Sequence, residues 1–175
     1  MTELQKDIDK VMSPHYKAYK ELQHYVHEAS EKELIDWAVK RKYVMQCEWA
    51  ADRITTGFYR EHWDDFARNG AFIFINELPT EPVNGTAIIL IDDARKYDIT
   101  NHCDIVVVKQ GSVNLHSDVK LFAYGTSTVT AYGNCDCLMY DDSILISESE
   151  EAWAELRDNA RVIGTGHIYK NGKQI

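Results

Sequence analysis

The chain has 175 residues, of which 45% are hydrophobic and 27% charged, a composition typical of soluble globular proteins with one or two domains. Its 28 acidic and 19 basic side chains give a formal net charge of −9, which argues against direct binding to nucleic acid or to an anionic membrane surface. No apolar stretch approaches the roughly 18 residues that cross a bilayer, and the polar start of the chain is unlike a secretory signal. With only four cysteines, a reduced, cytoplasmic protein is expected.

The first 70 residues predict a helical module. A helix is expected to begin at Ser13-Pro14, because serine caps helices and proline is tolerated at the first helical position. Ser30 and Glu33 have the spacing of a capping box, which predicts another helix start. Helical character continues to about Ile54 and resumes in the segment FYREHWDDFAR, which Asn69-Gly70 is expected to end.

After Gly70 the apolar pattern changes to short β-branched runs. These runs predict strands at Ala71–Ile75, Thr86–Ile91 and Ile105–Val108. Toward the end of the chain, residues 150–157 predict a short helix, and Asn171-Gly172 predicts the turn of a hairpin. The helix and the hairpin together are expected to cap the β region.

A repeat of eight residues runs from position 106 to 145 as VVVKQGSV, NLHSDVKL, FAYGTSTV, TAYGNCDC and LMYDDSIL. The eighth positions are all small or apolar: Val113, Leu121, Val129, Cys137 and Leu145. The second and eighth positions of consecutive octads are two residues apart, so they point to the same face of a strand. Two octads would form one sixteen-residue coil of a β-solenoid. A meander of hairpins is the alternative, but a constant period favours stacking of like residues and therefore the solenoid.

The segment AYGTSTVTAYGN, residues 123–134, resembles the STVTAYGN-type octapeptide arrays found in bacterial and phage proteins. The resemblance covers about residues 112–147, a fifth of the chain. It implies a β-solenoid, and it implies no substrate, cofactor or catalytic residue.

Two groups of metal-ligating or catalytic residue types occur in the sequence. Zinc binding by Cys135 and Cys137 with Cys103 is not expected, because Cys103 and Cys135 lie two coils apart, roughly 10 Å, and zinc binds its ligands at about 2.3 Å. Glu61, His62 and Asp65 could perform general acid–base catalysis.

The helical pattern, however, turns Trp63 and Phe66 toward the core and the charged residues of this segment toward solvent. No nucleophile, dinucleotide-binding or phosphate-binding motif is present, so no cofactor is expected.

The charge is concentrated in the second part of the chain. Residues 71–175 have a net charge of −7 and residues 1–70 a net charge of −2, and no lysine or arginine lies between Lys120 and Arg157. The acidic residues proposed for partner binding are Asp141, Asp142, Glu148, Glu150 and Glu151, which are expected to build one negative surface. The aromatic residues proposed for it are Tyr124, Tyr132 and Tyr140, which are expected to form one ladder along a side of the solenoid.

The sequence thus predicts an α+β protein with a helical module over residues 1–70 and a small β-solenoid region with its C-terminal cap over residues 71–175. The favoured function is a non-enzymatic protein-binding module that docks on a protein partner with a basic surface. Together with the resemblance, small size and acidity suggest a phage- or mobile-element-type inhibitor of a nucleic-acid-handling protein. The alternatives are a small enzyme using His62 with Glu61 or Asp65, and a structural protein that self-assembles into homo-oligomers.

Overall fold

The structure is a computed structural model that describes residues 1–17, 20–40, 58, 61–100, 103–116, 118–170 and 172–175. The chain divides into two compact units, Met1–Phe72 and Ile73–Ile175. None of the helices in the described ranges is long and apolar enough to span a membrane.

The first unit is helical. Counting only the described residues, its helices are α1 (Glu3–Met12), α2 (Lys20–Glu28), α3 (Glu31–Lys40) and α4 (Trp63–Arg68). Leu4, Ile8 and Met12 recur at helical spacing along one face of α1, and all three side chains are buried. A 3₁₀ turn over Ser13–His15 follows α1, with Pro14 in its first turn.

The capping box before α3 is confirmed. The backbone N–H of Ser30 donates to Glu33 Oε2 at 2.8 Å, and the backbone N–H of Glu33 donates to Ser30 Oγ at 3.3 Å. The Ser30 hydroxyl, which donates to Glu33 Oε2 at 2.6 Å, and the Ser30 backbone N–H together lower the pKa of Glu33. At Ser13-Pro14, by contrast, the described helix is only a 3₁₀ turn, and α2 begins at Lys20. The helical stretch predicted to reach Ile54 lies outside the described residues from position 41 onward.

The second unit is a β-solenoid of about six coils. Its strands, within the described residues, are β1 (Ala71–Ile75), β2 (Thr86–Ile91), β3 (Lys96–Ile99), β4 (Ile105–Val108), β5 (Ser112–Leu115), β6 (Lys120–Ala123), β7 (Thr128–Ala131), β8 (Asp136–Met139), β9 (Ile144–Ser147), β10 (Trp153–Leu156), β11 (Arg161–Gly164), β12 (His167–Lys170) and β13 (Lys173–Gln174). An eight-stranded sheet has the order β1-β2-β4-β6-β8-β10-β12-β13, and a five-stranded sheet has the order β11-β9-β7-β5-β3. The strands predicted at β1, β2 and β4 are confirmed.

Strands one coil apart are parallel and in register. Ser112 pairs with Thr128, which pairs in turn with Ile144, so the five-stranded sheet advances by sixteen residues a coil here. From β2 to β12, consecutive strands along the chain belong to different sheets, whereas a meander would pair consecutive strands antiparallel. The solenoid is therefore confirmed for these strands, and its coil has the length of two octads.

Two burial patterns occur among the strands. Every residue of β4 is buried, as is every residue of β2 except the first, which is typical of strands covered on both faces. In β5, β7 and β9 buried and partly exposed residues alternate, so these strands bury one face only. The core lies between the sheets, where the small and apolar side chains of successive coils stack in columns.

The predicted helix over residues 150–157 is wrong, because this segment contains strand β10. Trp153, Ala154, Glu155 and Leu156 pair in parallel with β8 on one side and with β12 on the other. Ala154 and Leu156 point into the core, whereas Trp153 and Glu155 are partly exposed. The ladder bonds on both edges outweigh the helix propensity of alanine, glutamate and leucine. The C-terminal hairpin is confirmed, since β12 and β13 pair antiparallel.

Ser127 and Ser143 are buried in this unit. Neither of their side-chain oxygens has a hydrogen-bond partner among the described residues. A buried hydroxyl without a partner costs about 1–3 kcal/mol, and alanine removes it with little loss of volume. We expect Ser127→Ala and Ser143→Ala each to raise the free energy of unfolding by about 1 kcal/mol in urea denaturation. A loss of stability in either variant would mean that the hydroxyl does have a partner.

Candidate functional site

Each coil of the solenoid has two turns, which we call its corners. At the first corner the chain leaves the eight-stranded sheet for the five-stranded one, for example between β8 and β9. At the second corner it returns, for example between β9 and β10. One octad spans half a coil, so equivalent positions of consecutive octads lie at opposite corners.

The tyrosines of the repeat therefore do not form one ladder, and that expectation is wrong. Tyr124 and Tyr140 lie at the first corner, where they are buried, and their rings stack with centroids 4.9 Å apart. Tyr132 lies at the second corner, is 49% exposed, and stacks on His116 with centroids 4.7 Å apart. Only Tyr132 presents a large surface for a partner.

The acidic residues of the predicted partner-binding surface are divided in the same way, so the single negative surface is also wrong. Asp141 and Asp142 lie at the first corner. Asp141 has a φ of 54°, its carboxylate accepts the Gly125 N–H at 2.8 Å, and its own N–H donates to Asp158 Oδ2 at 3.2 Å. The turn at the first corner therefore accounts for an aspartate at position 141.

Glu148, Glu150 and Glu151 lie at the second corner and are exposed. None of the three carboxylates forms an ion pair within the described part of the chain. The backbone N–H of Tyr132 donates to Leu115 O at 2.9 Å, and that of Glu148 donates to Ala131 O at 2.9 Å. These equivalent bonds place Tyr132 and Glu148 at the same position of adjacent coils.

Two further acidic residues, Asp104 and Asp118, are exposed at the second corner and were not predicted. Asp118 could have been found by the coil length, because it lies 32 residues, or two coils, before Glu150. No described residue of the second-corner turns is lysine or arginine, whereas the first corner contains Arg95, Lys109 and Arg157. We call the exposed set at the second corner the acidic corner: Asp104, Asp118, Tyr132, Glu148, Glu150 and Glu151.

A cavity of about 540 Å³ adjoins the acidic corner. Pro82 and Val83 line it together with Asp104, Asp118 and Lys120, among other residues. Lys120 Nζ lies 3.5 Å from Asp136 Oδ2, so the base that borders the cavity is already paired with an acid. The cavity therefore extends the negative character of this corner.

The outer face of the five-stranded sheet ends beside the acidic corner in an apolar group. Ile163 on β11 is 62% exposed, and its register partner Ile146 on β9 is partly exposed. Ile146 precedes Glu148 by two residues, so both side chains point outward. An exposed apolar group with charged neighbours is typical of surfaces that bind other proteins.

His62 in the first unit is placed differently from the prediction. It is 4% exposed, whereas Trp63 is 37% exposed, so the histidine and not the tryptophan faces inward. Its Nδ1 lies 3.0 Å from Asp65 Oδ2, and its Nε2 lies 3.0 Å from Asp7 Oδ2. Asp7 is 55 residues away from His62 along the chain, so no local pattern could have indicated this pairing. Both ring nitrogens of His62 therefore face carboxylates.

Cys135 and Cys137 contact each other at the start of β8. Cys137 Sγ donates to Cys135 Sγ at 3.3 Å, and both side chains are buried. This hydrogen bond and burial raise the pKa of Cys137 well above its ordinary value. Burial raises the pKa of Cys103 to about 11. Thiols that stay protonated are poor nucleophiles and poor zinc ligands, so Cys103 and Cys137 act as small apolar core residues.

Comparison of the chain with known proteins finds no matching family model, no similar curated protein and no similar solved structure.

Proposed function

We propose that this protein is a non-enzymatic protein-binding module whose acidic corner docks on a basic protein surface. One observation supports this most strongly: the acidic corner combines exposed carboxylates, in turns whose described residues include no lysine or arginine, with a half-exposed aromatic ring held by stacking. A structural role explains Asp141 at the first corner. It does not explain Glu148, Glu150 or Glu151, whose carboxylates are free of ion pairs within the described residues.

Tyr132 is the proposed anchor of the interface. Tyrosine is enriched among the residues that contribute most to protein–protein affinity. Stacking on His116 restricts the ring before a partner arrives, so little side-chain entropy is lost on binding. The exposed Ile163 nearby supplies apolar area for the centre of the contact, and the glutamates supply its rim.

The partner is proposed to be basic, because opposite charges steer association and like charges oppose it. A nucleic-acid-handling protein fits this description, since its binding channel carries lysine and arginine for phosphates. The protein would then compete with nucleic acid for that channel, as a phage- or mobile-element-type inhibitor does. Nucleic acid itself and anionic membranes would be repelled by the net charge of −9.

The test compares charge reversals at the two corners. Wild-type protein captures its partner from host lysate, the partner is identified and purified, and its dissociation constant is measured for each variant. We expect Tyr132→Ala and the double variant Glu148→Lys with Glu150→Lys each to weaken binding by at least about tenfold. Asp142→Lys, at the first corner, is the control and is expected to change the affinity less than about twofold.

Two further results bear on the partner's chemistry. We expect binding to weaken as salt rises, and DNA to displace the protein from the partner. Equal losses at the two corners, or binding that is indifferent to all these changes, would contradict the proposal. Capture only of further copies of the chain would favour self-assembly instead.

A further inference from the structure

A set of ligating atoms lies at the start of α4, in the first unit. Asp7, Glu61 and His62 each bring one nitrogen or oxygen atom into a group whose members all lie within 4.8 Å of one another. A tetrahedral zinc site with bonds of about 2.1 Å holds its ligand atoms roughly 3.4 Å apart. The Nε2 of His62 and the Oδ2 of Asp7, 3.0 Å apart, are already that close. Glu61 is exposed, so its side chain is free to close the remaining gap.

A cation at Nε2 would complete the contacts that a neutral His62 makes with its two carboxylates. Carboxylate oxygens of Asp65 and Asp7 lie 3.0 Å from Nδ1 and from Nε2, on opposite sides of the ring. A neutral imidazole carries one N–H, so one of these two contacts would join two acceptors without a hydrogen between them. A second proton resolves that contact, and so does a metal ion bound by both Nε2 and Asp7. His62 is buried, which makes an unresolved contact costly.

The surrounding residues orient the ring as metal-binding histidines are oriented. Metal-ligating histidines commonly donate their second N–H to a carboxylate, which fixes the tautomer. The Nδ1 of His62 lies 3.0 Å from Asp65 Oδ2, and the other oxygen of Asp65 is bound by Arg68. Arg68 is in turn paired with Glu31 at 3.1 Å. Asp65 is thereby held in place, and when it accepts the Nδ1 hydrogen the lone pair of Nε2 is directed toward Asp7.

We propose that Asp7, Glu61 and His62 bind one divalent metal ion of the zinc type, with Asp65 as the positioning residue. One imidazole and two carboxylates suit zinc, and three protein ligands leave at least one coordination position for water. The ion would connect α1 to the residues that precede α4. The site is separate from the acidic corner, so the outcome of either proposal leaves the other intact.

Zinc titration of chelator-stripped full-length protein tests the site, with zinc chloride as the probe. We expect one equivalent of Zn²⁺ to bind in calorimetry and to raise the melting temperature. Glu61→Gln is the decisive variant, because the Glu61 carboxylate has no hydrogen bond or ion pair within the described residues. It should leave the melting temperature of the metal-free protein unchanged and weaken zinc binding by at least about tenfold.

Three further variants complete the test. Asp64→Asn, an exposed neighbour that is not in the ligand set, is expected to bind zinc like the wild type. His62→Asn should abolish binding, and Asp65→Asn should weaken it by about tenfold or more through loss of ring orientation. The proposal is overturned if the wild type shows neither binding heat nor a rise in melting temperature. Unchanged zinc affinity in Glu61→Gln or in His62→Asn overturns it equally, because the ion then binds elsewhere.

Discussion

Gly111→Ala is expected to destabilise the solenoid by about 3 kcal/mol. Gly111 lies at the first corner between β4 and β5, with a φ of +88° that L-residues rarely adopt. A Cβ at this position would lie 2.3 Å from Asp93 O and 2.7 Å from Arg95 O, in the first-corner turn of the preceding coil. Both contacts are with backbone, so they cannot be relieved by a side-chain rotation, and overpacking adds about 1–3 kcal/mol to the conformational strain. Urea denaturation measures the loss.

Gly172→Ala is the matched control for this prediction. Gly172 has a similar φ of +75°, but nothing lies within 4 Å of the Cβ it would gain. In this variant the free energy of unfolding should fall only by the cost of placing alanine at a positive φ, about 1 kcal/mol. If both variants lose the same free energy of unfolding, then the close backbone of the preceding coil is not the reason why position 111 requires glycine.

Leu121→Ala is expected to cost about 4 kcal/mol, near the upper end of the range for such truncations. Leu121 is fully buried and lies between Val106 and Cys137 in the register of the eight-stranded sheet. The next residue of this column, Ala154, is small, so no neighbouring side chain can fill the space. Parallel ladders on both sides hold β6 in place, and the backbone cannot collapse into the cavity.

Two control variants separate the cavity from the chemistry of the change. Leu121→Met keeps the volume and is expected to cost less than about 1.5 kcal/mol. Ile163→Ala removes a side chain of the same size that is 62% exposed, and it should change stability by less than about 0.5 kcal/mol. A loss below about 2 kcal/mol for Leu121→Ala would show that the coils close around the missing side chain. All three free energies come from urea denaturation.

The solenoid could be predicted because its buried residues recur at a constant spacing along the sequence. Columns such as Val113, Val129 and Leu145 repeat at sixteen residues, and each is buried between the sheets. The last helix was predicted wrongly because residues 150–157 have good helix formers, and only the neighbouring strands show that they belong to a ladder. Local propensity carries no information about a partner strand one coil away.

The candidate sites were only partly predictable. Tyr132 and Tyr140 look alike in the repeat, yet one is 49% exposed and the other 4%, because successive octads end at opposite corners. That difference follows from the coil length and could have been worked out from the sequence. The pairing of His62 with Asp7 could not, since these residues are 55 positions apart along the chain and meet only in the folded unit.

The register of the coils also determines how this molecule can change in length. Strands β6 and β8 pair with an offset of sixteen residues, as do β5, β7 and β9. Duplicating residues 120–135 would therefore insert a whole rung and lengthen the stack by about 4.8 Å, with each side chain still facing its own sheet. Insertion of a single octad would instead move every following residue from its own sheet to the other one. This architecture therefore grows by whole coils, whatever its repeats are used for.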